Sequence, residues 1–254
     1  MAKIIAITNQ KGGVGKTTTS CALAAALASR KKRVLLCDCD QQCNSTDTYR
    51  AEIEGVATMY DLLFEKDTDL AEVVQHTDCG DIIAGDSLLR EAEKHLDGVS
   101  GAYRLKEKLK PLMDQYDYII LDTPPQISMM LTVALTAADT LIIPITADRY
   151  GVQGLTQLQE TVSDIKKYTN PGLTVDGLLL VKYTWRTRLA RELHKALKEI
   201  AGEFGTKVYK TTIRESTKTR EAQTARMNLF EYAPKSTTAQ DYSDFTDEFL
   251  AGER

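Results

Sequence analysis

The sequence predicts an α/β fold spanning residues 1–254 as one domain, with a mostly parallel, twisted sheet and helices on both faces. Three observations point there. Short, β-rich apolar runs alternate with longer helical patterns along most of the chain. Several of those runs end in an acid or a polar turn, and the first leads through a glycine-rich loop into an Ala-rich helix. Such alternation implies a parallel sheet covered on both faces. Folds of this kind bind ligands at the carboxyl ends of their strands.

The elements follow in order. Residues 3–8 (KIIAIT) form a short buried-type strand, and residues 17–30 (TTTSCALAAALASR) are strong helix formers with hydroxyl residues in the opening turn. A strand over 33–38 ends in Asp38, with Asp40 two residues on, so both carboxylates point to one side if the strand continues. Residues 42–100 are less regular, with short helices and a strand at 81–85 (DIIAG). A helix over 101–114 precedes a strand at 117–122, which ends in Asp122 and is stopped by Pro124 and Pro125. The remainder reads as helix 126–138, strand 140–145, helix 151–168, strand 174–182, helix 186–202, a short strand near 207–213 and helix 237–250.

The loop Gln10-Lys11-Gly12-Gly13-Val14-Gly15-Lys16-Thr17-Thr18 carries the strongest chemistry. Its Gly15-Lys16-Thr17 is the ending of the G-x-x-x-x-G-K-[ST] phosphate loop, although Gln10 stands where the first glycine belongs. Strand, glycine loop and helix converge backbone N–H groups and the positive helix end on one point. Glycines let the backbone approach oxygen atoms without a Cβ clash. Lys16 would sit on the β/γ-phosphates, and the Thr17 hydroxyl would ligate Mg²⁺, with Asp122 opposite it acting through water. An ordinary glycine turn with a solvated lysine, and a turn or N-cap aspartate at 122, are the plainer alternatives. The predicted context weighs against both.

Composition narrows the setting. No basic segment followed by a long apolar run opens the chain, so no signal peptide is expected. The most apolar stretch, 131–147, is broken by Asp139 and Pro144, which argues against a membrane span. Cys21, Cys37, Cys39, Cys43 and Cys79 fit free thiols in a reducing cytosol. Cys37, Cys39 and Cys43 make a C-x-C-x₃-C run, and packing as small apolar residues is the favoured account of them over metal binding.

Net charge is −4, yet residues 182–226 hold twelve bases against five acids, a local +7. That asymmetry marks a candidate face for a polyanion. On the helix 186–202, Leu189, Leu193, Ala196, Leu197 and Ile200 share one side, opposite Arg188, Arg191, Lys195 and Lys198. Clustered cations suit phosphate contacts without base reading, whereas a merely solvated charged face is the alternative. Arg186, Lys218 and Arg220 complete the candidate DNA-binding set.

Taken together, KGGVGKTT at 11–18, VLLCDCD at 34–40, YDYIILDTPP at 116–125 and IIPITADRYGVQG at 142–154 resemble the ParA/MinD group of deviant Walker ATPases, with its P-loop NTPase fold. ParA-type partition ATPases are the most similar, over nearly the whole length. The resemblance implies ATP and Mg²⁺ as cofactors and an ATP-dependent homodimer in which Lys11 reaches the partner's phosphates. It implies that Asp40 positions the attacking water, that Asp38 sits in the outer shell of the metal and that Asp122 is the second-strand acid. It also implies non-specific DNA binding, a ParB-type partner that stimulates slow hydrolysis, plasmid or chromosome partition, and a cytoplasmic, nucleoid-associated protein. A MinD-like membrane positioner and a metabolic ligase of the same superfamily are the alternatives. The acidic residues of 241–250 oppose the first, because anionic lipid would repel them. Two departures stand out: Gln41-Gln42-Cys43-Asn44 replaces the usual Pro-Gln-Gly-Asn, and 211–215 lacks the usual proline.

Overall fold

The computed structural model describes residues 1–65, 68–92, 95–96, 98–183 and 188–253. In chain order the elements are β1 (Lys3–Ile7), α1 (Lys16–Ser29), β2 (Val34–Asp38), α2 (Asn44–Tyr49), α3 (Met59–Phe64), α4 (Leu70–Val73), β3 (Val74–Thr77) and β4 (Gly80–Ile83). Next come α5 (Leu89–Ala92), α6 (Gly98–Leu109), β5 (Tyr118–Asp122), α7 (Met129–Ala137), β6 (Thr140–Thr146), α8 (Arg149–Tyr168) and β7 (Thr174–Val181). The chain closes with α9 (Arg188–Glu203), β8 (Lys207–Val208), α10 (Thr217–Thr224), α11 (Leu229–Tyr232) and α12 (Thr237–Gly252).

These strands form one eight-stranded sheet in the order β3-β4-β2-β5-β1-β6-β7-β8. All pairings are parallel except β3 with β4, an antiparallel hairpin at one edge. Side-chain alternation splits each central strand between two cores. Ile4 and Ala6 join Leu35, Ile119, Leu105, Leu135 and Leu158 on one face. Ile5 and Ile7 join Leu23, Leu27, Leu36, Phe245 and Phe249 on the other. Both faces are therefore covered, which is why the central strands read as unbroken apolar runs.

The differences from expectation have local causes. The helix expected from 126 begins at Met129, because the Ser128 hydroxyl accepts the N–H of Leu131 and caps it there. The strand expected over 207–213 forms a regular ladder only at Lys207–Val208, although Tyr209 and Ile213 still donate their N–H groups to the Leu178 and Leu180 carbonyls of β7. Beyond it, Glu248 of α12 accepts the N–H groups of Lys210 and Thr211 at 2.8 Å each, drawing that backbone away from the ladder. Helices α10 and α11 carry no apolar periodicity, and their side-chain caps Ser216 and Asn228 set their starts. No described helix is long and apolar enough to cross a membrane. The cysteines are free, and among the described residues no group of three or more His, Cys, Asp or Glu side chains is placed to hold a metal.

Candidate nucleotide-binding site

Parallel strands bring their carboxyl ends to one edge, and here the register is decisive. Ile7 pairs with Asp122, and Asp38 pairs with the same Asp122 across β2 and β5. The glycine loop leaves β1 at that edge and turns into α1. Gly13 (φ 69°) and Gly15 (φ 100°) lie in the left-handed region that favours glycine. Asn9 braces the loop from below, donating Nδ2 to the Pro144 carbonyl at 2.7 Å and accepting the Lys11 N–H at 2.9 Å.

The start of α1 is uncapped. Gly15 offers no side chain to the first-turn N–H groups, and that turn contains no acid. A 14-residue helix therefore presents bare donors and a positive dipole end to the loop. Lys16 is buried beneath it, with Nζ donating to the Lys11 carbonyl at 3.3 Å. Burial pushes its ammonium below the ordinary lysine value, while the charges of Asp122 and Asp40 pull it back up. A buried cation with one neutral acceptor fits an incoming phosphate.

The acids are organised by hydroxyl groups. Asp122 accepts from Ser45 at 2.6 Å and Ser20 at 3.0 Å, and Thr17 also donates to it. Asp38 accepts from the Thr46 hydroxyl at 2.8 Å, the Thr46 N–H at 2.9 Å and the Asp40 N–H at 3.1 Å. Both carboxylates are fully buried, and burial raises both pKa values; the Asp122 charge adds to the rise at Asp38. Two buried like charges beside the Thr17 hydroxyl are hard oxygen donors whose repulsion a divalent cation would relieve, so the residues fit Mg²⁺. Asp40 sits beyond them, its Oδ1 accepting the Gln42 N–H at 3.0 Å in a tight turn whose fourth residue, Cys43, adopts φ 52°.

A cleft of about 530 Å³ opens over the loop. Gly12 to Thr18 and Asp40 line its floor, and Lys182, Arg214, Arg220, Gln223 and Tyr242 line its far wall. Lys11 is turned aside: its Nζ donates to Asp148 Oδ2 at 2.7 Å and Thr146 Oγ1 at 3.1 Å. The candidate DNA residues are dispersed. Arg186 lies outside the described residues; Arg188 and Arg191 fall in the first turns of α9, and Lys195 and Lys198 are exposed further along it. Lys218 pairs with Glu221 at 2.7 Å on α10, and Arg220 lines the cleft. Sequence reading missed Ser20, Ser45 and Thr46 and counted Lys182 only among the bases of 182–226. Only Ser20 leaves a trace, one helical turn after Lys16 and so on the same face.

An uncapped helix, a glycine loop, a buried lysine and a hydroxyl-held pair of acids define an α/β protein of the phosphate-binding-loop class. Comparison with known proteins narrows this class. A family profile described as an AAA domain matches residues 2–175. The sporulation initiation inhibitor protein Soj of Bacillus subtilis is 40% identical, with 99% of each chain covered. The chromosome partitioning protein ParA of Myxococcus xanthus is 33% identical, covering 95% of this chain and 86% of its own. The chain belongs to the Soj/ParA family of partition proteins. Among solved structures, cobyrinic acid a,c-diamide synthase from Mycobacterium smegmatis, with bound ADP and magnesium, superposes at a TM-score of 0.84 and 29% identity, covering 98% of this chain and 94% of that one. A putative plasmid partition protein from Borrelia burgdorferi, bound to AMPPNP, gives 0.80 and 26%, with 99% of each chain covered.

Proposed function

We propose that this chain is an Mg²⁺-ATP-dependent partition switch: it binds ATP, dimerises, holds DNA non-specifically and is reset by slow hydrolysis that a ParB-type partner accelerates. The observation that carries the proposal is the buried Lys16 under an uncapped helix, facing the Asp38–Asp122 pair. Lys16 and the loop N–H groups would bind and orient the β- and γ-phosphates. Mg²⁺, held through Thr17 with Asp38 and Asp122 behind it, would supply positive charge against the negative charge on the phosphate oxygens. Asp40, fixed by the Gln42 N–H, would orient the attacking water in line with the γ-phosphorus.

Lys11 would complete the partner's site, so its resting bonds to Asp148 and Thr146 must break as two copies meet. ATP would then favour the dimer because its binding site is completed only there. The basic side of α9 would hold phosphates of DNA in the cytoplasm and on the nucleoid, with no membrane involved.

DNA co-sedimentation with and without ATP, at a stated low salt, tests the whole reading. Wild type should sediment with DNA only when ATP is present. Gly12→Val should abolish this, and the effect reports on the second copy, since a Cβ at Gly12 meets nothing within 4 Å inside one chain. Arg188→Glu with Arg191→Glu should lose DNA while keeping ATP. ATP-independent sedimentation, or full retention by both variants, would overturn the proposal.

A further inference from the structure

We propose that Arg220 is a nucleotide-binding residue, taking the ribose and α-phosphate end of the bound nucleotide, and not a DNA contact. This rests on the nucleotide reading above and deepens it. Ser216, Thr219, Arg220 and Gln223 all line the cleft. Their spacing of three and four residues is that of one helix face, so α10 turns a single polar side toward the nucleotide.

That face is tied to the phosphate loop. Gln223 Nε2 donates to Thr18 Oγ1 at 3.0 Å. Thr18 follows the residues set for the β/γ-phosphates and the metal, so the tether places α10 on the α-phosphate side of the loop.

The cations of the cleft differ in what already holds them. Lys16 donates to the Lys11 carbonyl, and Lys182 donates to the Gly13 carbonyl at 2.7 Å. Arg214 is forked onto Asp241, with its Nε at 2.9 Å and Nη2 at 2.6 Å from the carboxylate oxygens. Among the described residues, the Arg220 side chain forms no hydrogen bond and no ion pair; the contact of Thr224 Oγ1 at 3.0 Å is to its backbone carbonyl. Its neighbouring acid is spent, since Glu221 Oε2 accepts from both Lys218 at 2.7 Å and the Tyr232 hydroxyl at 3.0 Å. Glu215, which shares the cleft wall, forms no ion pair with Arg220. Arg220 thus brings an uncommitted guanidinium, with a planar fork matched to phosphate oxygens, to the wall of the space a nucleotide would fill.

Calorimetric titration of the full chain with Mg²⁺-ATP and Mg²⁺-ADP tests this, using wild type, R220A, R220K and Q223A. R220A should weaken ATP and ADP alike, by roughly five- to tenfold in Kd, and R220K, which keeps the charge but loses the fork, should recover only part of the loss. Q223A, which frees α10 from the loop, should also weaken both nucleotides. A loss confined to ATP would put Arg220 on the γ-phosphate and overturn the placement. Unchanged Kd values with lost DNA co-sedimentation would return it to the DNA face. Failure of wild type to bind either nucleotide would instead overturn the function proposed above. Circular dichroism of each variant separates binding loss from misfolding.

Discussion

Ser45→Ala is the sharpest test of how the buried acids are held. The Ser45 hydroxyl is fully buried and donates to Asp122 Oδ2 at 2.6 Å, shorter than the bonds from Ser20, Thr46 and the Asp40 N–H that hold the two acids. A bond from a hydroxyl to a buried carboxylate contributes about 1.5–3 kcal/mol, and both groups lie out of reach of bulk solvent. A domain of this length shifts its Tm by about 2–4 °C per kcal/mol, so the variant should melt roughly 3–12 °C lower. The pH dependence follows from the direction of the Asp122 shift. Burial raises its folded pKa above the unfolded value, while Ser45 is the largest of the opposing influences, ahead of Thr17 and Ser20. Between those two pKa values the native state binds more protons than the unfolded state, so stability falls as pH rises. Removing Ser45 raises the folded pKa further, and the penalty must grow as the carboxyl ionises. Thermal melts of wild type and variant at about pH 6 and pH 8, without nucleotide, measure this. A Tm within a degree of wild type at both values, or a penalty that shrinks with rising pH, would refute the reasoning.

Two further outcomes are expected. Gly177→Ala would place a Cβ 2.6 Å from Tyr209 Cε2, and that ring is fully buried and packed edge-on against Phe245 at 4.8 Å, so it has no room to yield. Overpacking of this kind costs about 1–3 kcal/mol, to be seen as a lower Tm with β7 as the site of strain. Asp148→Asn removes the charge that holds Lys11; because this pair is partly exposed, the restraint is about 1 kcal/mol at most. The ATP-dependent dimer proposed above should then form at a several-fold lower protein concentration in sedimentation velocity, and an unchanged midpoint would mean that the pair does not restrain Lys11.

The strands over 3–8, 33–38, 117–122, 140–145 and 174–182 were legible because a strand buried on both faces must be apolar throughout, and the described strands match them to within about a residue or two. The hairpin partner β3 was not legible: Val-Gln-His-Thr is four residues long, half exposed and held by pairing to β4. Helices α10 and α11 were missed for a related reason, as a capping side chain starts them and a packed neighbour keeps them, without an apolar stripe to betray them.

In the site, the sequence by itself determined what lies close along the chain. The glycine loop, Lys16 and Thr17 are one continuous motif, and Asp38, Asp40 and Asp122 mark strand ends. The tertiary structure alone decided what those residues meet. Sheet order sets Asp38 beside Asp122, 84 positions apart in the register of β2 and β5. Packing of α2 brings Ser45 and Thr46 onto those acids. The turn after β6 gives Lys11 its resting partners. The fold of the last third sets Arg220 on the wall of the cleft above the glycine loop. The physical reason is common to all four: backbone preference and hydrophobic period are local properties, whereas which side chain meets which is settled only when strands pair and helices pack.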